Sequence, residues 1–124
     1  MSKTALVLFG HGARDPQWAT TMRRVAASVS TRAPEVRVEL AFLEFIEPDL
    51  AQCSEALITQ GFERIVVVPM FIAQGGHLKK DLPELLEALR QAHPAVNFEL
   101  AAAVGEAESV VHAMAAHVAA LGAL

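Results

Sequence analysis

What the chain lacks narrows it first. Its single cysteine, Cys53, cannot close an intrachain disulfide and has no cysteine partner at a metal-type spacing. A reducing cytoplasm is therefore the expected compartment. Lys and Arg number 10 against 14 Asp and Glu, a net charge of −4, and only Arg23-Arg24 and Lys79-Lys80 are adjacent. That balance argues against a nucleic-acid partner, which requires a basic stripe or patch. No stretch approaches the roughly eighteen apolar residues of a membrane span. The apolar run Ala5 to Phe9 is shorter than a signal-peptide core and is cut off by Gly10-His11. Repeats, low-complexity tracts and long linkers are absent too, so residues 1–124 are expected to form one domain.

What is present is apolar. Hydrophobic residues make up 53% of the chain with glycine left out, above the roughly 45–50% of average domains with glycine included. A surplus of that kind predicts apolar surface left for self-association. The hydrophobic period switches repeatedly between continuous runs and helical stripes, which is the pattern of βα units around a parallel sheet. The first strand spans about Thr4–Phe9. Asp15-Pro16 then open a helix with Trp18, Met22, Val25 and Val29 at helical spacing, ending near Arg32. A second strand covers about Val36–Leu43, followed by a helix opened by Pro48, with Leu50, Ser54, Leu57 and Ile58 on one face, and closed by Gly61.

The third strand, about Arg64–Phe71, contains Ile65-Val66-Val67-Val68 and is expected at the centre of the sheet, buried on both faces, with Pro69 weakening its last ladder bonds. Leu82, Leu85, Leu86 and Leu89 mark the third helix, and Pro83 places that helix's first turn there. A fourth strand, about Val96–Ala101, precedes a last helix from about Glu106 to Leu121 with Val110, Met114, Val118 and Leu121 along one face. Right-handed crossovers make 2-1-3-4 the expected order, giving a three-layer, doubly wound α/β fold.

Two histidines then stand out, each in a glycine-flanked turn after an apolar strand: Gly10-His11-Gly12 and Gly75-Gly76-His77. With strands 1 and 3 as parallel neighbours, both turns open at the carboxyl edge of the sheet, where α/β folds bind ligands. Glu44 emerges at the same edge from strand 2. Imidazole is a borderline ligand for cobalt, iron, nickel and zinc, and two histidines with a carboxylate leave coordination positions open, as a site handling a metal in transit or in chemistry requires. Gly10, Gly12, Gly75 and Gly76 allow close backbone approach to a bulky ligand, or serve turn geometry alone. Arg14, Lys79 and Lys80 add local positive charge suited to a polycarboxylate or phosphate, or are simply solvated. His112 and His117 lie about 140° apart around the last helix and cannot clasp one ion from the same face. His93 sits at a helix end, where it favours the dipole.

Three ordered blocks carry a resemblance: Leu8-Phe9-Gly10-His11-Gly12-Ala13-Arg14-Asp15, Glu39-Leu40-Ala41-Phe42-Leu43-Glu44-Phe45, and the run from Val66 through Gly76-His77-Leu78-Lys79-Lys80 to Pro83. Together they resemble the CbiX/SirB family of sirohydrochlorin chelatases in its short, single-lobe form. The resemblance implies a class II chelatase-like fold, a homodimer mimicking the two-lobed members, and insertion of Co²⁺ or Fe²⁺ into sirohydrochlorin in cobalamin or siroheme biosynthesis, without an organic cofactor. It maps the family's paired histidines onto His11 and His77 and its acidic residue onto Glu44. Ala13 stands where the family usually has serine, which removes a hydroxyl from that position, and the histidine-rich tail of some relatives is absent.

The expected chemistry is metal holding and proton acceptance by His11 and His77, assisted by Glu44, with substrate held by Gly10, Gly12, Arg14, Gly75, Gly76, Lys79 and Lys80. Two other classes share the motifs. One is a binding module that delivers metal or tetrapyrrole without inserting it. The other is phosphohistidine chemistry, whose enzymes place arginine directly before the histidine, where this chain has Gly10.

Overall fold

The computed structural model describes residues 3–73 and 75–123, with the side chain of His77 outside the described part. Four strands, β1 (Thr4–Gly10), β2 (Arg37–Phe42), β3 (Arg64–Pro69) and β4 (Asn97–Leu100), form one sheet in the order β2-β1-β3-β4. All three pairings are parallel. The expected order and fold class hold. Gly10 pairs with Phe42 and Phe9 with Pro69, so the three neighbouring strands end level with one another. Whatever follows them meets at one edge.

The helices are α1 (Thr20–Arg32), α2 (Leu50–Thr59), α3 (Gly76–Ala92) and α4 (Glu108–Gly122), with short 3₁₀ turns at Pro16–Ala19 and Val104–Glu106. Alternation along each strand splits the core in two. Val7, Phe9, Ala41, Ile65, Val67 and Phe98 pack against Leu50, Cys53 and Leu57 of α2 and Leu82, Leu86 and Leu89 of α3. Leu8 and Phe42 face the other way, onto Ala19 and Met22. A parallel sheet between helical layers is the arrangement that a run such as Ile65 to Val68 demands.

Several local expectations change. Asp15 caps the 3₁₀ turn, accepting from the Gln17 amide, and α1 proper starts at Thr20. The second helix starts from Asp49, not Pro48: Asp49 and Gln52 form a capping box, each side chain accepting the other's backbone N–H. Pro83 lies inside α3, because Gly75 is the N-cap and the helix runs from Gly76. His77 is therefore the second residue of a helix and not part of a free turn. The interior proline removes one helical hydrogen bond, at an exposed position of the helix. β3 ends at Pro69, and it is buried on one face only: Ile65, Val67 and Pro69 are buried, while Arg64, Val66 and Val68 are half-buried. The last helix is shorter than expected at its start, its first residues forming the separate 3₁₀ turn.

Candidate metal and tetrapyrrole site at the carboxyl edge

The site is assembled from the strand ends. One residue beyond β1, His11 is half-exposed. Two residues beyond β2, Glu44 turns back toward it, and their side chains meet with His11 Nε2 3.1 Å from Glu44 Oε1. The backbone holds the pair in register, because the Leu43 amide donates to the Gly10 carbonyl at 2.9 Å and the Glu44 amide to the His11 carbonyl at 3.1 Å. A carboxylate only accepts, so the imidazole proton of a neutral His11 resides on Nε2 and Nδ1 offers its lone pair. Orienting a histidine through its second nitrogen is how carboxylates prepare imidazoles for metals.

Gly12 is what allows this closeness. Its φ is +93°, a region that side chains disfavour, and a Cβ there would lie 1.8 Å from the Glu44 carbonyl oxygen. On the β3 side the loop is pinned from below. The Gly105 amide donates to the Phe71 carbonyl at 2.9 Å, and a Cβ on Gly105 would meet the Ile72 backbone at 2.3 Å. That glycine was not singled out from the sequence, since nothing local to it marks a distant backbone contact.

His11, Phe71, Ala73, Gly75, Gly76 and Leu78 line one cavity of about 340 Å³. The two glycine-flanked segments thus share a single opening at backbone level. Among the described residues, chain neighbours aside, no atom lies within 4 Å of where a Cβ on Gly75 or Gly76 would be. Gly10 is the last residue of β1 and packs against Met22 and Trp18, a structural role. Lys79 and Lys80 are exposed on α3 just beyond its first residues. The side chain of His77 lies outside the described residues.

Beside the pair, a second groove of about 350 Å³ runs along Leu43, Glu44, Phe45 and Ile46 to Gln52. Phe45 has a φ of 69° and is 57% exposed. The Arg14 guanidinium lies 5.0 Å from the centre of its ring, within cation–π range. A bulky residue held at positive φ is strained, and such strain collects at ligand sites. Phe45 is the site residue that sequence reasoning missed: the residue was visible beside Glu44, its backbone conformation was not.

An all-parallel α/β sheet with an imidazole–carboxylate pair at its carboxyl edge, beside an open cavity, defines the class: an α/β domain with the carboxyl-edge crevice at which such folds bind ligands. The family model CbiX matches residues 5–121, and the chain belongs to that family. It is 40% identical over 89 residues to the sirohydrochlorin cobaltochelatase of Methanocaldococcus jannaschii, covering 72% of this chain and 62% of that one. Against the sirohydrochlorin cobaltochelatase of Methanococcus aeolicus the figures are 38% over 82 residues, 66% and 57%. The chain thus spans about six-tenths of the length of these curated relatives.

Among solved structures, the CbiX protein of Marinobacter aquaeolei VT8, described as a cobalamin (vitamin B12) biosynthesis protein, superposes with a TM-score of 0.82 at 30% identity, covering 93% of each chain. The chelatase SirB from Bacillus subtilis subspecies spizizenii in complex with cobalt gives 0.77 at 28% identity, covering 90% of this chain and 47% of that one. Bacillus subtilis SirB with Fe³⁺ gives 0.76 at 29% identity, with 90% and 44% covered.

Proposed function

We propose that this chain is a sirohydrochlorin chelatase that inserts Co²⁺ or Fe²⁺ into the macrocycle, works in the cytoplasm and acts as a homodimer. One observation carries the reading: the His11–Glu44 pair at 3.1 Å stands on the rim of a cavity that the glycines before His77 also line. The relatives' names and the cobalt-bound and iron-bound neighbours supply the substrate class.

Metalation exchanges one divalent cation for two pyrrole protons, so the site must hold a partly desolvated ion and accept protons beside it. His11 presents Nδ1 to the ion while Glu44 holds Nε2–H, and His77 is proposed as the second ligand and proton acceptor. Protons leaving the macrocycle pass to His77 and to Glu44, which is half-exposed and can return them to water. Sirohydrochlorin's carboxylates fit Arg14, Lys79 and Lys80 together with the amides at the start of α3, where the helix dipole adds positive potential. Gly75 and Gly76 leave room for a flat ring, and Phe45 with Arg14 supplies a wall on the other side. No organic cofactor is needed. A cavity of about 340 Å³ is at the small end of ligand sites, which run from about 300 to 1,000 Å³. A half-site completed by a second copy suits a ligand of this size.

The test is turnover. Purified protein, sirohydrochlorin and Co²⁺, Fe²⁺ or Ni²⁺ are mixed, and the absorbance change is compared with the spontaneous rate. Acceleration that disappears in His11→Ala and His77→Ala is expected. Tight binding without acceleration assigns the chain to delivery instead. Arg14→Glu should weaken sirohydrochlorin binding much more than metal binding, and equal losses in both would remove Arg14 from the proposed role.

A further inference from the structure

The two sides of the cavity are held by different means. On the His11 side, the loops after β1 and β2 bond to each other through the Leu43 and Glu44 amides. On the other side, the chain leaves β3 and must carry Phe71 and Ala73 past the opening to Gly75, Gly76 and the start of α3. Its first grip is on β1, where the Met70 amide donates to the Phe9 carbonyl at 2.8 Å, two residues before His11. The second is on the 3₁₀ turn Val104–Glu106 beyond β4, where the Gly105 amide donates to the Phe71 carbonyl at 2.9 Å. The exit from β3 is thus gripped from the sides of both strands that flank it.

Gly105 is a glycine for the sake of that grip. The positive φ values among the described glycines belong to Gly12 and Gly61, so the backbone conformation at Gly105 would accept a side chain. Space excludes one. A Cβ would meet the Ile72 carbonyl oxygen at 2.3 Å and its Cα at 2.4 Å, where ordinary contact begins at 3.4 Å. The approach hides backbone only, since the Ile72 side chain is 74% exposed. Little apolar burial is gained there; what the contact fixes is the line along which the chain runs. The turn is a firm base for it. Ala103 is buried, the Glu106 amide donates to the Ala103 carbonyl, and the Ala101 amide continues the ladder onto the Val67 carbonyl, each at 2.9 Å.

The first turn of α3 depends on that line. Gly75 caps the helix without a side-chain hydrogen bond, so the anchor that Ser, Thr, Asp or Asn supplies at other helix starts is missing. Pro83 has no amide proton for the Lys79 carbonyl, which loosens the tie between the first turns and the rest of the helix. The fully seated leucines, Leu82, Leu86 and Leu89, all come later. The turn that carries His77 is therefore placed by Leu78, which is half-buried, and by the short run of chain back to Ile72.

We propose that Gly105 is a positioning residue for the metal-type site: by letting the turn after β4 seat against the Ile72 backbone, it sets the gap between His11 and the first turn of α3. The proposal rests on the reading of His11 and His77 as paired metal ligands. Gly105 does not line the cavity and acts through Phe71 and Ile72. Two imidazoles gripping one cation tolerate little error, because metal–nitrogen bonds are short, about 2.0–2.1 Å for zinc. A misplacement of about 1 Å arising away from the chemistry can cost about 100-fold.

Co²⁺ binding to the full chain is measured without macrocycle, by the visible absorption of the bound ion, at a temperature where circular dichroism shows each variant folded. Gly105→Ala should weaken binding about 10–100-fold. His77→Ala should cost much less in the Gly105→Ala chain than in the wild type, because a misplaced imidazole is already lost to the ion; a glycine with a merely structural role would leave the two losses additive. A folded Gly105→Ala chain with wild-type affinity, or additive losses, overturns the proposal. Should Gly105→Ala fail to fold, the wild type decides, since coupling is reciprocal and bound metal must tighten the grip. Exchange of the Gly105 amide, followed by nuclear magnetic resonance with diamagnetic Zn²⁺, should slow at least several-fold on saturation, and an unchanged rate overturns the proposal. Cobalt insertion assayed in parallel separates the two readings. Co²⁺ binding that depends on Gly105, without insertion, sinks the chelatase reading alone; insertion at the wild-type rate by folded Gly105→Ala sinks the positioning role alone; a wild type that binds no Co²⁺ overturns both.

Discussion

His11 and Glu44 are joined twice, once through the backbone, where the Glu44 amide donates to the His11 carbonyl at 3.1 Å, and once through their side chains at the same separation. The join exists only because Gly12 lets the Glu44 carbonyl oxygen into the space a Cβ would fill, 1.8 Å away. Gly12→Ala must displace backbone at a positive φ. We expect a loss of about 2–4 kcal/mol in denaturant unfolding, the range for strained backbone positions and steric conflict. Metal insertion should fall with it, and a variant of full stability would show that the loop yields freely.

The side-chain half of the join can be tested without moving the backbone. Glu44→Gln keeps the shape but removes the charge and makes the partner able to donate, so the proton on His11 Nε2 is no longer fixed. Losing an orienting partner of this kind typically costs about 10–100-fold in affinity or activity. We expect that loss in kcat, with the KM for sirohydrochlorin little changed. A rise in KM with kcat intact would instead make Glu44 a substrate contact.

Much of this was legible because long-range placement followed from short-range pattern. Apolar runs alternating with helical stripes imply crossovers, crossover handedness implies the order β2-β1-β3-β4, and the order brings His11 and Glu44 to one edge. What escaped has no local signal. Gly75 caps α3 without a side chain, so nothing announced that the helix starts seven residues before Pro83. The capping box of Asp49 and Gln52 was hidden behind the more conspicuous Pro48. Val66 and Val68 read as doubly buried because a β-branched run carries no mark of how far the helices on either face extend, and α1 packs on β1 and β2 instead.

Phe45 sets stability against function. At a φ of 69° its backbone is strained, by roughly 1–2 kcal/mol for a side chain in the left-handed region. Its ring is more exposed than buried and touches the Arg14 guanidinium. Phe45→Gly relieves the strain and sacrifices little buried surface, so thermal stability should stay level or rise slightly. Sirohydrochlorin binding, measured by fluorescence titration of the macrocycle, should weaken several-fold at the same time. A marked fall in melting temperature with unchanged binding would make the ring a structural element.

Cys53 offers a check on the core away from the site. Burial between α2, which carries it, and the sheet, reinforced by the Glu39 carboxylate and opposed by the Arg37 guanidinium, pushes its thiol up from 9.0 to about 11. The native state therefore holds the thiol proton more tightly than the unfolded chain does. Its contribution to stability is complete below pH 9.0 and is lost as pH rises from there toward 11, by up to about 3 kcal/mol at 1.36 kcal/mol per pH unit. Urea unfolding at pH 8 and at pH 10.5 should reveal that slope in the wild type and a flatter one in Cys53→Ala. Iodoacetamide at pH 8 should label the thiol promptly only once urea has unfolded the chain; equal labelling of the native protein would mean that the α2 face opens far more readily than its packing implies.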